Sequence, residues 1–226
     1  MPFDYPTRAL VEQTLLVFLT LFPIVNPVGA APVFLAMTRG LGSPERALLA
    51  RRIGINAFLL VLGSVFVGRY VIEFFGLSVP VIQVGGGILV CSVAWDLLRS
   101  EETQSEMTLT PQTSEQLAAR AFYPMTMPLT VGPGTISVAI TLGAAAPRTP
   151  SGWAISAAGS TAGAVALALS IYFLFRHAEK LTRALGTTGT AVLLRLSAFI
   201  LLCIGVQIVW NGVFSLLGTL PTFRAR

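Results

Sequence analysis

Apolar residues run in long blocks along the chain, and the charged residues are confined to short islands between them. Blocks of about 20 apolar residues match the hydrocarbon core of a bilayer when they form helices. The pattern therefore predicts an all-α, polytopic membrane protein with six transmembrane helices. The six predicted spans cover approximately residues 9–37, 52–74, 78–98, 121–146, 152–176 and 193–217.

One polar segment, residues 100–120, divides the chain into two similar halves. It is rich in Glu, Thr, Gln and Ser and is predicted to be a cytoplasmic linker between a three-span repeat at 1–99 and another at 121–226. The runs 87–91 and 199–203 are also similar. Three spans is an odd number, so the second half must enter the membrane from the opposite side. An inverted-topology repeat of this kind is common among secondary transporters.

Two proline triplets mark the first and the fourth predicted spans. Pro23, Pro27 and Pro32 have spacings of four and then five residues, and the second triplet repeats these spacings. The members of the second triplet are Pro124, Pro128 and Pro133. A proline inside a helix removes a hydrogen bond and costs about 3 kcal/mol. We therefore expect both spans to be broken helices.

Broken spans are candidates for a binding site because the freed N–H and C=O groups need protein or a water-filled cavity to satisfy them. Two facing breaks near the midplane predict a small polar site for a zwitterion or an ion. A helix N-terminus suits a carboxylate, and free carbonyls suit an ammonium group or a cation. The alternative is a pair of proline kinks that only shape packing. The candidate substrate-binding residues of the two spans are Asn26, Pro27, Gly29, Pro32, Thr126, Pro128, Thr130, Gly132, Pro133, Gly134 and Thr135.

Two amides in the sixth predicted span are further candidates. Gln207 and Asn211 are four residues apart and therefore share a helix face. Such amides can hydrogen-bond a substrate, or they can bond another helix, which is their commoner use in membranes.

Composition excludes several classes of protein. Charged residues make up only 11% of the chain, too few to solvate a soluble domain. The net charge of +5 comes without a basic stripe, so no nucleic-acid partner is predicted. Cys91 and Cys203 lie in apolar runs and are expected to be small buried hydrophobes, not a disulfide or a metal pair.

Catalytic patterns are missing from the sequence. His177 is the only histidine and sits at a span end, and no metalloprotease or nucleophile-elbow motif occurs. We predict neither enzymatic activity nor a cofactor. No Asp or Glu lies at the centre of a predicted span, which argues against proton coupling through a buried carboxylate.

Arg and Lys predict the orientation in the membrane. The loops after spans one, three and five carry ten of these residues, and the opposite side carries five. The positive-inside rule then places both termini outside, in the periplasm of a Gram-negative cell. The first span is expected to be retained, because Asp4 and Glu12 offset Arg8 and leave no cationic leader region.

Four segments resemble the MarC family of six-span membrane proteins. They are NPVGAAPVFL, FYPMTMPLTVGPGTI, RLSAFILLCIGVQIVWNG and GLSVPVIQVGGGILV, so the resemblance covers nearly the whole chain. It implies a bacterial inner-membrane protein, grouped with transporters of small neutral amino acids such as glycine and alanine. Two positions depart from the family pattern: Gln83, where members often carry Arg, and Ala30, where many carry a larger or polar residue. By position, the resemblance marks Asn26, Pro27, Pro32, Pro128, Gly132, Pro133, Gly134, Thr135, Gln207 and Asn211.

The favoured function is secondary transport of a small solute, a neutral amino acid such as glycine or alanine, by alternating access at a midplane site. The alternative is a channel, or a structural or signalling membrane protein that transports nothing. The expected partners are the lipid bilayer and a small solute, with a coupling ion left open.

Overall fold

The computed structural model describes residues 5–38, 40–99, 120–127, 129–147 and 149–218. Within these ranges every regular element is a helix, which confirms the all-α prediction. In chain order the elements are α1 (Tyr5–Val25), α2 (Pro27–Met37), α3 (Ser43–Phe74), α4 (Val79–Arg99), a π-helical turn (Ala121–Thr126), α5 (Pro133–Ala144), α6 (Pro150–Arg176) and α7 (Ala178–Leu217).

Five of the described helices are long and apolar enough to cross a membrane. Two shorter apolar helices, α2 and α5, complete the set. The predicted fourth span, 121–146, contains no such long helix, because its described part is divided between the π-helical turn and α5. The count of six spans therefore stays a prediction. The five candidate spans are Pro6–Val25, Ser43–Gly68, Val79–Arg99, Pro150–Arg176 and Ala178–Leu217.

Prolines start the helices rather than simply breaking them. Pro27, Pro133 and Pro150 are the first residues of α2, α5 and α6. Proline is favoured at this position because its fixed φ suits the helix and its missing N–H would have had no partner there. By contrast, Pro23 and Pro32 lie inside α1 and α2 without ending either helix.

The two interruptions differ in width. Between α1 and α2 only Asn26 leaves the helix, with left-handed backbone angles of φ 47° and ψ 55°. Between Thr126 and Pro133 the chain is non-helical wherever it is described. α5 therefore starts at the third proline of its triplet, whereas α2 starts at the second proline of the first. The two proline triplets therefore have the same spacing in the sequence, but the helices that follow start at different members of the triplet.

The helices pack mainly across the two halves of the chain. α4 packs along α7, α3 packs against α5 and α6, and α1 packs against α6. The short helix α2 contacts α6 and α7, and its Phe34 ring stacks on Phe175 of α6 with centroids 4.7 Å apart. Both rings are fully buried. The shared core therefore joins the halves into one bundle.

Glycine allows a close crossing between α4 and α7. A Cβ added to Gly205 would lie 2.7 Å from Cys91 Sγ and 2.9 Å from the Cys91 backbone nitrogen. A Cβ added to Gly87 would lie 2.9 Å from the Gly205 carbonyl oxygen. Small residues let membrane helices approach this closely. The predicted burial of the cysteines is wrong for Cys203, which is exposed on α7, while Cys91 is partly buried.

A break at Gly186 divides α7. Its φ of 66° lies in the left-handed region, which glycine tolerates without strain. The short first part of α7 carries Glu179, which pairs with Arg46 at the start of α3 across 3.1 Å. The start of α3 and the start of α7 thus lie at the same end of the bundle.

Candidate functional site

A cavity of about 320 Å³ lies where both interruptions meet α4 and α7. It receives residues from the α1–α2 break, from the approach to α5 and its first turn, and from the facing sides of α4 and α7. Two interruptions that are distant in sequence therefore border one cavity.

Asn26 closes the first interruption. Its side-chain Oδ1 accepts a hydrogen bond from the Gly29 N–H at 3.1 Å, and its backbone carbonyl accepts from the Ala30 N–H at 2.9 Å. Asparagine tolerates the left-handed conformation better than most residues and is a favoured N-cap. The N-terminus of α2 is thus partly satisfied by its own cap, and Asn26 also lines the cavity.

The second interruption stays open. Gly132 precedes α5 in an extended conformation, φ −86° and ψ 176°, and no side chain caps this helix. Gly132, Pro133, Gly134 and Thr135 all line the cavity. The first N–H groups of a helix carry partial positive charge and have no partner within the helix. The first turn of α5 therefore offers uncapped N–H donors at the cavity.

Three threonines near this interruption differ in their hydroxyl partners. Thr126 Oγ1 donates to the Ala121 carbonyl at 2.6 Å, and Thr130 Oγ1 donates to the Met125 carbonyl at 2.7 Å. Thr135 is 2% exposed, lines the cavity, and makes no side-chain hydrogen bond with any described group. Of these three threonines, Thr135 is therefore the one whose hydroxyl hydrogen is free to be donated to a bound molecule.

Most of the remaining cavity wall is aliphatic. No Asp, Glu, His, Lys or Arg occurs among the described residues that line it. A bound molecule would contact both this hydrocarbon and the uncapped helix terminus. The aliphatic wall comprises Ile24, Val25, Val33, Leu89, Val90, Val93, Leu97, Leu129, Leu194 and Leu201.

The predicted site residues fall into three groups. Those that line the cavity are Asn26, Gly29, Thr130, Gly132, Pro133, Gly134 and Thr135. Buried beside it, outside its lining, are Pro27, Pro32 and Thr126. Pro128 lies outside the described residues.

Gln207 and Asn211 form the third group and lie away from the cavity. Both are exposed on α7, and Gln207 Nε2 donates to Asn211 Oδ1 at 2.8 Å. The structure therefore does not bring them together with the residues of the two interruptions.

Ser197 is a lining residue that the sequence reasoning missed. Its Cβ would lie 2.9 Å from a Cβ added to Gly29, so the two lining residues pack closely against each other. The sequence does contain an indication of Ser197. The alignment that pairs residues 87–91 with 199–203 also pairs Gly85, in the glycine run of α4, with Ser197.

Metal ligation has little support in the described part of the chain. There, no group of three or more His, Cys, Asp or Glu side chains lies close enough to hold an ion.

Comparison with known proteins places the chain in a family. A family model described as "MarC family integral membrane protein" matches residues 11–217. The chain is 29% identical over 203 residues to the UPF0056 membrane protein MJ1677 of Methanocaldococcus jannaschii, an alignment that covers 89% of this chain and 96% of that protein.

Bacterial relatives give the same result. The UPF0056 inner membrane proteins MarC of Salmonella paratyphi A and Citrobacter koseri are each 28% identical over 206 residues, covering 88% of this chain and 93% of theirs. No solved structure matches the chain. Since the family match spans nearly all of the sequence, the chain belongs to the MarC family of integral membrane proteins.

Proposed function

We propose that this protein is a secondary transporter of the bacterial inner membrane that carries a small neutral amino acid by alternating access at the cavity between the two interruptions. The observation that carries the proposal is the uncapped N-terminus of α5, which borders a mostly aliphatic cavity beside the unpartnered hydroxyl of Thr135. The cavity volume of about 320 Å³ falls within the range of roughly 300–1,000 Å³ for small-molecule sites.

The carboxylate of the solute would bind at the first turn of α5. Uncapped N–H groups and the positive end of the helix dipole favour an anion there. Thr135 can add one hydroxyl donor without losing an existing hydrogen bond. Gly132 and Gly134 carry no side chain that would hold the carboxylate away from the backbone.

The ammonium group needs acceptors rather than a counter-charge in this arrangement. The backbone carbonyls of Leu129, Thr130 and Val131 accept no hydrogen bond from a described group. Leu129 and Thr130 line the cavity, which makes their carbonyls candidates to accept from the ammonium group. Free carbonyls of broken helices serve this purpose in other transporter folds.

The aliphatic wall would contact the side chain of the solute. Glycine and alanine would leave part of this wall without a contact, whereas valine would cover more of it. Burying aliphatic groups against it contributes about 0.8 kcal/mol for each CH₂. The wall therefore favours neutral aliphatic amino acids over charged ones.

The transport proposal includes an inverted repeat of 1–99 and 121–226 joined by the polar segment 100–120. Exchange of the halves maps the packing of α3 on α5 onto that of α2 on α6, and the packing of α4 on α5 onto that of α2 on α7. All four contacts occur, which supports the pseudo-symmetry. Six spans with both termini in the periplasm complete the proposed topology.

Uptake into proteoliposomes tests the function. Labelled glycine, alanine and valine are offered with and without Na⁺ and proton gradients, and aspartate and lysine serve as charged controls. We expect saturable uptake of at least one neutral amino acid, with self-competition, and none of the charged ones. A folded protein that shows no saturable uptake of any neutral amino acid would contradict the proposal, and non-saturating flux would indicate a channel instead.

A further inference from the structure

The amides of Gln207 and Asn211 lie on the outer surface of α7, away from the cavity. α4 packs on the opposite side of this helix, through Gly205 and Gly212. Exposed apolar neighbours surround the pair: Val206 is 57% exposed and Trp210 is 60% exposed. Two strongly polar side chains thus lie within an otherwise apolar outer face.

Their depth makes this placement costly. Gln207 is ten residues before the end of α7 at Leu217, which corresponds to about 15 Å along the helix axis. The exposed Arg195 is twelve residues on the other side, about 18 Å away, where it can reach the interface. The hydrocarbon core is about 30 Å thick, so Gln207 lies near the midplane.

One hydrogen bond does not satisfy the two amides. The bond from Gln207 Nε2 to Asn211 Oδ1 leaves the Gln207 carbonyl oxygen without a described donor and the Asn211 amino group without a described acceptor. Lipid tails supply neither. The unused acceptor and donor complement each other, so the same pair on a second chain in the same orientation supplies both missing partners.

We propose that this face of α7 binds a second copy of the chain through a two-fold axis normal to the membrane. The exposed residues along it follow spacings of four and three, as at the interface of a left-handed helix pair. An apolar groove of about 290 Å³ beside the amides offers space for side chains of the second copy. The seam comprises Val192, Leu196, Phe199, Cys203, Val206 and Trp210.

Cys203 reports on this interface without any substitution, because it lies four residues before Gln207 on the same face. We expect copper-phenanthroline to cross-link the wild-type protein into a dimer in native membranes. Cys203→Ser should abolish the cross-link and Cys91→Ser should leave it. As a matched control, Leu169→Cys, at an exposed position on α6, should give no cross-link in a Cys203→Ser background.

The amides themselves are tested by Gln207→Leu combined with Asn211→Leu. Each interhelical hydrogen bond in a membrane contributes a factor of about 2.8, so loss of two bonds should weaken dimerisation about eightfold. The dimer fraction is measured by single-molecule photobleaching at low protein density in bilayers. Polar-to-leucine changes on a lipid-facing surface preserve folding, which a thermal unfolding scan verifies.

The outcomes separate the proposal from its alternatives. A Cys203 cross-link that weakens with the double leucine variant supports it. Absence of the wild-type cross-link, equal cross-linking through Leu169→Cys, or a dimer fraction unchanged by the double variant would each overturn it. None of these results depends on whether the protein transports an amino acid.

Discussion

The two interruptions differ in how their following helices begin. At the first, one residue leaves the helix and its own side chain caps α2: Asn26 Oδ1 accepts from the Gly29 N–H. At the second, a longer non-helical stretch leads into α5, and Gly132 provides no side-chain cap. A capped terminus is internally satisfied, whereas an uncapped terminus at a cavity retains donors for a ligand.

We expect the two interruptions to contribute differently to stability and to ligand binding. The first interruption fixes one wall of the cavity and gains stability from its cap. The second gives up that stability and keeps its donors available at the cavity. Functional sites commonly give up local stability in this way. Substitutions can therefore test whether the two interruptions respond differently.

The largest expected effect is loss of the cap at the first interruption. Asn26→Ala removes a hydrogen bond worth about 1 kcal/mol and places alanine in a left-handed conformation that costs about 1–2 kcal/mol more. Asn26→Gly is the matched control, because glycine accepts φ 47° and costs only a few tenths of a kcal/mol at an N-cap. Equilibrium unfolding in mixed micelles compares the two. Equal destabilisation by Asn26→Ala and Asn26→Gly would show that the left-handed backbone conformation at this position does not add to the cost of the alanine substitution.

Crowding the second interruption should have the next largest effect. A Cβ on Gly134 would clash with Cγ2 of the buried Val90 and lie 3.3 Å from the Gly86 carbonyl oxygen. Val90 is β-branched and lies in α4, where such a side chain has one preferred rotamer, so it cannot turn away from the added methyl group. We expect Gly134→Ala to destabilise the protein by about 1–3 kcal/mol and to reduce binding.

The matched variant for Gly134→Ala is Gly29→Ala, where the added methyl meets the movable side chain of Asn26 and Ser197 Cβ at 2.9 Å. It should cost about 1 kcal/mol, the value of the displaced cap. Thermal unfolding of both variants measures the difference. A larger loss of stability for Gly29→Ala than for Gly134→Ala would contradict the expectation that the second interruption tolerates an added methyl group less well than the first.

Substitutions at Thr135 and Thr130 should distinguish an effect on solute binding from an effect on stability. Thr135→Val removes a hydroxyl without a described partner, so stability should change little while affinity for the solute falls by about 1 kcal/mol, roughly fivefold. Thr130→Val removes the hydroxyl that donates to the Met125 carbonyl, so stability should fall by about 1 kcal/mol. Isothermal titration and unfolding are run on both proteins. If both variants lost affinity and stability to the same extent, the hydroxyls of Thr135 and Thr130 would not have the different roles expected of them.

The smallest expected effect comes from giving the second interruption the cap of the first. Gly132→Asn suits the extended backbone at this position and should raise stability by a few tenths of a kcal/mol. The new side chain should occupy a first-turn N–H of α5 and reduce solute affinity severalfold. Binding and unfolding measured on one preparation test both effects. Increased affinity would show that these N–H groups do not contact the solute.

The sequence predicted the helical class, the membrane location and both interruptions, because long apolar blocks and prolines act locally. It did not predict where the helices resume. Pro32 stays inside α2 although its counterpart Pro133 starts α5, where Gly134 packs against Val90 and the Gly86 carbonyl of α4. Proline spacing alone contains no information about that packing.

The candidate site could be predicted only in part, because it too depends on tertiary packing. Residues next to a backbone break could be selected from sequence, whereas Ser197 required knowledge of which side of α7 faces the cavity. Gln207 and Asn211 share a face, as their spacing indicates, yet that face lies outward. Periodicity identifies the residues that share a face and leaves its direction to tertiary packing.

We propose that the N-terminus of α5 binds the carboxylate of a neutral amino acid. The most direct test compares L-valine with L-valinamide, which lacks the carboxylate, by isothermal titration to the protein in lipid nanodiscs. We predict saturable binding of L-valine and at least tenfold weaker binding of the amide, because charge-assisted hydrogen bonds are about twice as strong as neutral ones. Equal affinities for the two compounds, or binding of the amide alone, would contradict the account.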